Sequence, residues 1–174
     1  MTEVAVIVGG GPGISASCAR LFSNKGMKVA VAARNIGKPA LKKLMEDHSV
    51  KLIACDAADP DSVSSLFDTV RKGLGNPTLV VHNIDGRSAD VFRKRITEVD
   101  PALVQSVIAN STYSAFLVGQ QATRCLMEND IGDNGRGKNI LTNHSPAIKV
   151  YPRSRAFAPD GHVKERHAQS IARE

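Results

Sequence analysis

The sequence predicts an α/β fold, a doubly wound parallel sheet of strand order 3-2-1-4-5 with helices on both faces. Three observations carry that expectation. Short runs of β-branched residues and alanine alternate with segments of helical spacing, and parallel neighbours require such crossovers. A glycine cluster stands where the first apolar run meets the first helical segment, beside strand 1, where doubly wound sheets bind their ligands. Aromatic residues make up 4% of the 174-residue chain and tryptophan is absent. The core therefore falls to Val, Ile, Leu and Ala, a composition suited to buried parallel strands rather than to a sandwich or barrel.

Taken in order, Val4 to Val8 reads as the first strand and ends in Gly9-Gly10-Gly11-Pro12-Gly13. Helical spacing follows in Ala16, Ala19, Leu21 and Phe22 and stops at Lys25-Gly26. Lys28 to Ala33 is the second strand, and Lys38 to Asp47 a helix with Leu41 and Leu44 inward. Lys51 to Cys55 is the third strand. Pro60-Asp61-Ser62 opens a helix carrying Val63, Leu66, Phe67 and Val70. Thr78 to His82 is the fourth strand, and Pro101 is a natural first-turn residue for a helix running to about Met127. Asn139 to Asn143 is the fifth strand.

The last third changes character. Pro146, Pro152, Pro159 and the Pro159-Asp160-Gly161 turn signature predict irregular structure from Pro146 to Gly161. His162 to Glu174 can form a helix whose apolar face is Val163, Ala168, Ile171 and Ala172. Nothing marks a boundary or a repeat, so residues 1–174 read as one domain, large enough to bury its own core.

The glycine cluster is the strongest functional signal. Between a strand and a helix, Gly9, Gly11 and Gly13 allow a tight turn and close approach of backbone N–H groups to a pyrophosphate, with Ile14 and Ser15 opening the helix whose positive end favours the anion. The spacing Gly9-x-x-x-Gly13-x-Ser15 resembles the Gly-x-x-x-Gly-x-Gly of the short-chain dehydrogenase/reductase family, with Ser15 in place of its last glycine. The resemblance extends over the whole chain and implies a Rossmann-like, dinucleotide-binding domain. It implies roles for Arg34, where NADP-preferring relatives pair an arginine with the 2′-phosphate, for Asp56 and the adjacent Ala57 at the adenine, and for Asn83, which matches the family's Asn-Asn-Ala-Gly loop. With no acidic residue at the end of the second strand, NADP(H) is expected in preference to NAD(H). Asn110 falls where relatives carry a helix asparagine that supports the catalytic lysine.

The catalytic positions do not follow. The family places a serine after strand 5, then a Tyr-x-x-x-Lys pair on the next helix; the lysine lowers the tyrosine pKa so that the phenol exchanges a proton as hydride moves. The stretch Ala168-Gln169-Ser170-Ile171-Ala172-Arg173-Glu174 resembles the family's sequence just downstream of that lysine. In this register the tyrosine position is Phe157, the lysine position Gly161 and the serine position His144, with Ser145 beside it. Phe157 has no ionisable proton, and Pro159 is expected to disturb the first turn of the helix. Tyr151 and Arg155 have Tyr-x-x-x-Arg spacing but come six residues too early. Asn110, His144 and Ser145 are the polar candidates that remain, and His144 could donate a proton at neutral pH.

Other classes find little support. The net charge of +6 gathers locally at Arg87, Arg93, Lys94, Arg95 and at Arg153, Arg155. No aromatic residues interleave with these to stack bases, so the charge reads as a solvated surface attractive to an anion rather than a nucleic-acid interface. Cys18, Cys55 and Cys125 read as reduced core thiols, with a cytoplasmic location expected. No signal peptide is expected, because the first apolar run is short and leads into glycines, and no apolar stretch of this sequence approaches the ~20 residues that span a bilayer. His48, His82, His162 and His167 lack metal-ligand spacing. The stretch from Gly132 to Lys138 matches a P-loop on paper but follows a helix and precedes a strand, the reverse of the required order, and reads as a surface turn.

Two functions remain expected. One is an NADP(H)-dependent oxidoreductase acting on a carbonyl or alcohol, its catalysis impaired or rerouted. The alternative is a non-catalytic NADP(H)-binding module, a sensor or partner subunit. The family's sheet continues past strand 5, so the sequence is expected to be truncated, to leave a sheet edge there and to form a homo-oligomer.

Overall fold

A computed structural model of the chain describes residues 2–86, 94–133, 135–149 and 158–173. Arg87, Arg93, Asn134, Tyr151, Arg153, Arg155 and Phe157 lie outside the described residues. Five parallel strands, β1 (Val4–Val8), β2 (Lys28–Ala33), β3 (Lys51–Ala54), β4 (Leu79–His82) and β5 (Lys138–Leu141), form one sheet in the order β3-β2-β1-β4-β5. The doubly wound order expected from the sequence is therefore present, with strand ends within two residues of those expected.

Alternation along β1 divides the core. Val4, Val6 and Val8 enter a cluster with Leu66, Phe67, Leu117 and Val118, whereas Ala5 and Ile7 join Ala16, Ala19, Leu41 and Leu44 on the opposite face. The first cluster lies beneath α3 (Pro60–Gly73) and α5 (Ser114–Met127), the second beneath α1 (Ile14–Asn24) and α2 (Pro39–His48). Asp59 caps α3 by accepting from the Asp61 N–H at 3.0 Å. Asp100 caps α4 (Pro101–Val107) through the Ala102 N–H at 2.9 Å, with Pro101 in the first turn as expected. Gly132 and Gly135 exchange both backbone hydrogen bonds in a tight turn.

Four expectations need correction. The helix from Pro101 to Met127 is not continuous in kind: a π-helical stretch, Ile108–Tyr113, joins α4 to α5. Such wide turns recur at functional sites, and this one delivers the buried Ser111 hydroxyl toward the last helix. That helix, α6 (Ala158–Ile171), starts four residues before His162 and includes Pro159, Asp160 and Gly161. Pro159 does not disturb it, because a first-turn residue has no intrahelical partner for its N–H. Nor is its inward face wholly apolar. Val163 is 48% exposed while Asp160 and Lys164 are 4% and 2% exposed. Ala168 and Ile171 lie beside a groove against α5 and β5, where Ile171 approaches Gly119.

Candidate functional site

The loop after β1 is built by glycines of two kinds. Gly9 has φ +105°, and a Cβ there would stand 2.2 Å from the Asn83 carbonyl oxygen. The N–H groups of Gly9 and Gly10 both donate to the Ala32 carbonyl, at 3.0 and 2.8 Å. These two residues press the loop against β2 and β4. Gly11 and Gly13, in contrast, would carry a Cβ with nothing within 4 Å. They border open space at the N-terminus of α1, an 11-residue helix with no side-chain cap. Unpaired N–H groups and the helix dipole favour an anion there. The residues present therefore fit a pyrophosphate.

Ser15 explains its own departure from glycine. It is 1% exposed, donates to the Gly9 carbonyl at 2.7 Å and accepts from Asn83 Nδ2 at 2.7 Å. Thr142, just after β5, donates in turn to Asn83 Oδ1 at 2.9 Å. One chain of hydrogen bonds thus ties the loop to α1, β4 and β5, so Ser15 and Asn83 hold the cradle's shape.

Two cavities flank this loop. One, of about 320 Å³, is bordered by Gly9, Arg34, Lys38, Asp56, Ala57 and Asn110, among others. The Arg34 and Lys38 side chains are exposed there and make no side-chain hydrogen bond among the described residues. Asp56 uses Oδ1 to accept from the Ala58 N–H at 3.0 Å. The second cavity, of about 450 Å³, is bordered by Gly11, Gly13, Ile14, Ser15, His144 and Lys164, among others. Gly9, Asn83, Ile84 and Asp85 border both, so an extended ligand can reach from one to the other across the loop.

The floor of the second cavity carries a buried polar cluster. Asp160 accepts from Ser111 Oγ at 2.8 Å and from Thr112 Oγ1 at 2.7 Å. His144 Nε2 lies 3.4 Å from Asp160 Oδ2, and Lys164 Nζ lies 3.7 Å from the same oxygen. Lys164 also donates to the Ile84 carbonyl at 3.1 Å. Asn143 anchors the start of α6 by donating to the Gly161 carbonyl at 2.8 Å. At Gly161 a Cβ would lie 2.8 Å from His144 Cε1 and 2.9 Å from Ala147 Cβ. A side chain at position 161 would require His144 or Ala147 to shift.

The sequence candidates are distributed unevenly over this geometry. Gly9, Gly11, Gly13, Ile14, Ser15, Asn83 and His144 border the second cavity; Arg34, Asp56, Ala57 and Asn110 border the first. Asn110 turns its amide back onto its own helix, donating to Ser106 O at 2.9 Å and Ser106 Oγ at 3.1 Å. Ser145 is exposed on the short 3-10 turn Ser145–Ala147. Sequence reasoning missed Ser111, Thr112, Thr142, Asp160 and Lys164. The Asp160–Lys164 spacing of four on a helix was a legible signal for an ion pair, set on the same helical stripe as Ala168 and Ile171. Burial raises the thiol pKa of Cys55 and Cys125, which leaves them inert.

Comparison with known proteins agrees with this architecture. A family model described as enoyl-(acyl carrier protein) reductase matches residues 9–174. Versicolorin reductase stcU of Emericella nidulans is 29% identical over 161 residues, covering 90% of this chain and 57% of that protein. The chain thus spans little more than half the length of that relative. Two solved structures share the fold. An enoyl-(acyl-carrier-protein) reductase of Anaplasma phagocytophilum in complex with NAD superposes with TM-score 0.84 at 19% identity, covering 98% of this chain and 64% of that one. A metagenomic short-chain oxidoreductase in complex with NADP gives TM-score 0.83 at 19% identity, covering 98% and 75%. With the strand order, the glycine loop between β1 and α1 and a family model matching nearly its full length, the chain belongs to the short-chain dehydrogenase/reductase family, whose members bind a nicotinamide dinucleotide.

Proposed function

We propose that the chain binds NADP(H) in preference to NAD(H) and serves hydride transfer between that cofactor and a small carbonyl or alcohol, with proton chemistry rerouted from the family's pattern. The observation that carries this reading is the open N-terminus of α1 at Gly11 and Gly13, continuous with a cavity bordered by Arg34 and Lys38. Gly11, Gly13 and Ile14 would hold the pyrophosphate, Asp56 and Ala57 the adenine, and Arg34 with Lys38 the 2′-phosphate, for which a guanidinium has matching geometry. NADPH supplies the hydride when bound. The protein must supply the proton; of the polar candidates Asn110, His144 and Ser145, His144 is the one able to donate it at neutral pH, and it borders the second cavity.

The test is a fluorescence titration of the purified chain with NADPH and with NADH, repeated on Arg34→Ala. The variant is expected to bind NADPH about 10- to 100-fold more weakly, as losing a charge-assisted pair implies, with NADH affinity little changed. Equal affinity of the unaltered chain for the two cofactors would remove the preference. Turnover of an aldehyde and ketone panel then separates the enzyme from the second reading, a non-catalytic cofactor-binding module. That reading is favoured by Phe157 and by the crowding of position 161 by His144 and Ala147. Turnover unaffected by His144→Ala would remove the histidine's role.

We also propose a homo-oligomer. β5 is the last strand of the sheet and pairs only with β4 among the described residues, and an unpaired edge invites association. Among the described residues no helix is long and apolar enough to cross a membrane, and the proposed ligands are the dinucleotide and a small substrate, with no nucleic acid. Sedimentation velocity is expected to show a dimer or larger species; a monodisperse monomer would contradict it.

A further inference from the structure

A lysine that is 2% exposed and borders a cavity calls for an explanation. Burying an ammonium costs desolvation that a single ion pair rarely recovers, and an apolar residue of the same size would often be as stable. Lys164 is held by the Ile84 carbonyl at 3.1 Å and by Asp160 at 3.7 Å, among its contacts. Asp160 is itself fixed by Ser111 and Thr112 on the π-helical stretch. The effect is to place the ammonium beside the second cavity, on the far side of the glycine loop from Arg34 and Lys38. Among that cavity's described lining residues Lys164 is the only lysine or arginine.

The position matters because the neighbouring turn of the helix is closed. The His144 ring comes within 2.8 Å of where a Cβ on residue 161 would stand, so with His144 in place a side chain there has no room. Residue 164 is the next position on the same helical face, one turn along. A dinucleotide whose adenosine half occupies the Arg34 cavity has its second nucleoside half in the cavity that Lys164 borders.

We infer that Lys164 is a cofactor-binding residue that holds the hydroxyl-bearing second nucleoside half of the dinucleotide, with Asp160 as its positioning residue. The inference rests on the NADP(H) reading above and assigns that site a cation one helical turn beyond position 161. His144 then belongs to the support of this cluster, since its ring packs on Gly161 and faces Asp160.

The experiment uses two ligands on the full chain: NADPH, and the adenosine half alone as 2′-phospho-ADP. Both are titrated into the unaltered chain, Lys164→Met, and the double variant Lys164→Met/Asp160→Asn, which leaves no unpaired buried carboxylate. The expected result is NADPH affinity lower by about tenfold or more in both variants, the scale of a lost hydrogen bond to a charged group. Affinity for 2′-phospho-ADP should stay within about twofold, which also reports that the variants are folded. NADPH affinity unchanged, or both ligands weakened together, would overturn the inference and leave Lys164 a structural partner of Asp160. If the unaltered chain binds neither ligand, the NADP(H) reading itself fails and this inference fails with it. If it binds both equally tightly, only the role of Lys164 is lost.

Discussion

Replacing Gly9 by alanine is expected to destabilise the chain by about 2–5 kcal/mol and to abolish NADPH binding. The added Cβ would stand 2.2 Å from the Asn83 carbonyl oxygen and 2.7 Å from a side-chain carbon of Ile84, at a φ of +105°. Backbone on both sides must move, and each adjustment acts on the same place. Gly9 accepts from Ser15, Ser15 accepts from Asn83, and Asn83 and Ile84 border both cavities. Gly11→Ala is the matched contrast, because its Cβ meets nothing within 4 Å and its φ is ordinary. Stability there should be unchanged or higher by up to about 1 kcal/mol, while NADPH binding weakens if Gly11 borders the bound pyrophosphate. Urea unfolding and NADPH titration read the two quantities separately. A wild-type midpoint for Gly9→Ala would show that the close approach to β4 is not what holds the loop.

This contrast also marks what was legible in the sequence. Four or five apolar residues in a row, bounded by glycine or proline, read as buried parallel strands because both faces of such a strand are covered. The strands and their order follow from that pattern, and the cradle from a glycine cluster between strand and helix. Which glycine does what did not follow. Gly9 and Gly10 face backbone and side chains of β2 and β4, while Gly11 and Gly13 face open space, a difference set by residues more than 20 positions away.

The reactive end was harder to read, for a related reason. Apolar periodicity in α6 points Val163 inward, yet Val163 is 48% exposed and Lys164 is 2% exposed. The partners that make burial of Lys164 tolerable are the carbonyl of Ile84, 80 residues earlier, and Asp160, itself satisfied by Ser111 and Thr112. Ser111 and Thr112 are presented by a π-helical stretch, whose extra width has no signature in local composition. Aligning the end of the chain with the family made Gly161 read as a loss. In the structure it is the residue that admits the His144 ring, so His144 and Gly161 form one arrangement rather than two separate departures.

Acidification gives the second large effect, and it originates in β4 rather than in the cluster. His82 is fully buried, with Nε2 2.8 Å from Ser114 Oγ on α5. Burial chiefly, then the Lys164 ammonium and to a smaller extent His167, lower its pKa from 6.5 to about 3. The folded imidazole therefore stays neutral at pH values where the unfolded one takes up a proton. Its contribution is complete above the unfolded pKa near 6.5, falls as pH drops below it, and is lost as pH reaches the folded value of about 3. Between pH 7 and pH 5 the loss is about 2 kcal/mol, and by pH 4 about 3 kcal/mol. Urea unfolding at these three pH values should show wild type losing that much more than His82→Gln, which cannot titrate. Parallel losses in the two proteins would mean that the folded imidazole takes up its proton as readily as the unfolded one. Because the Lys164 ammonium is the second cause of the depression, Lys164→Met should raise the folded pKa of His82. The acid loss would then begin at the same pH but level off sooner, which an NMR titration of the His82 ring protons would show directly.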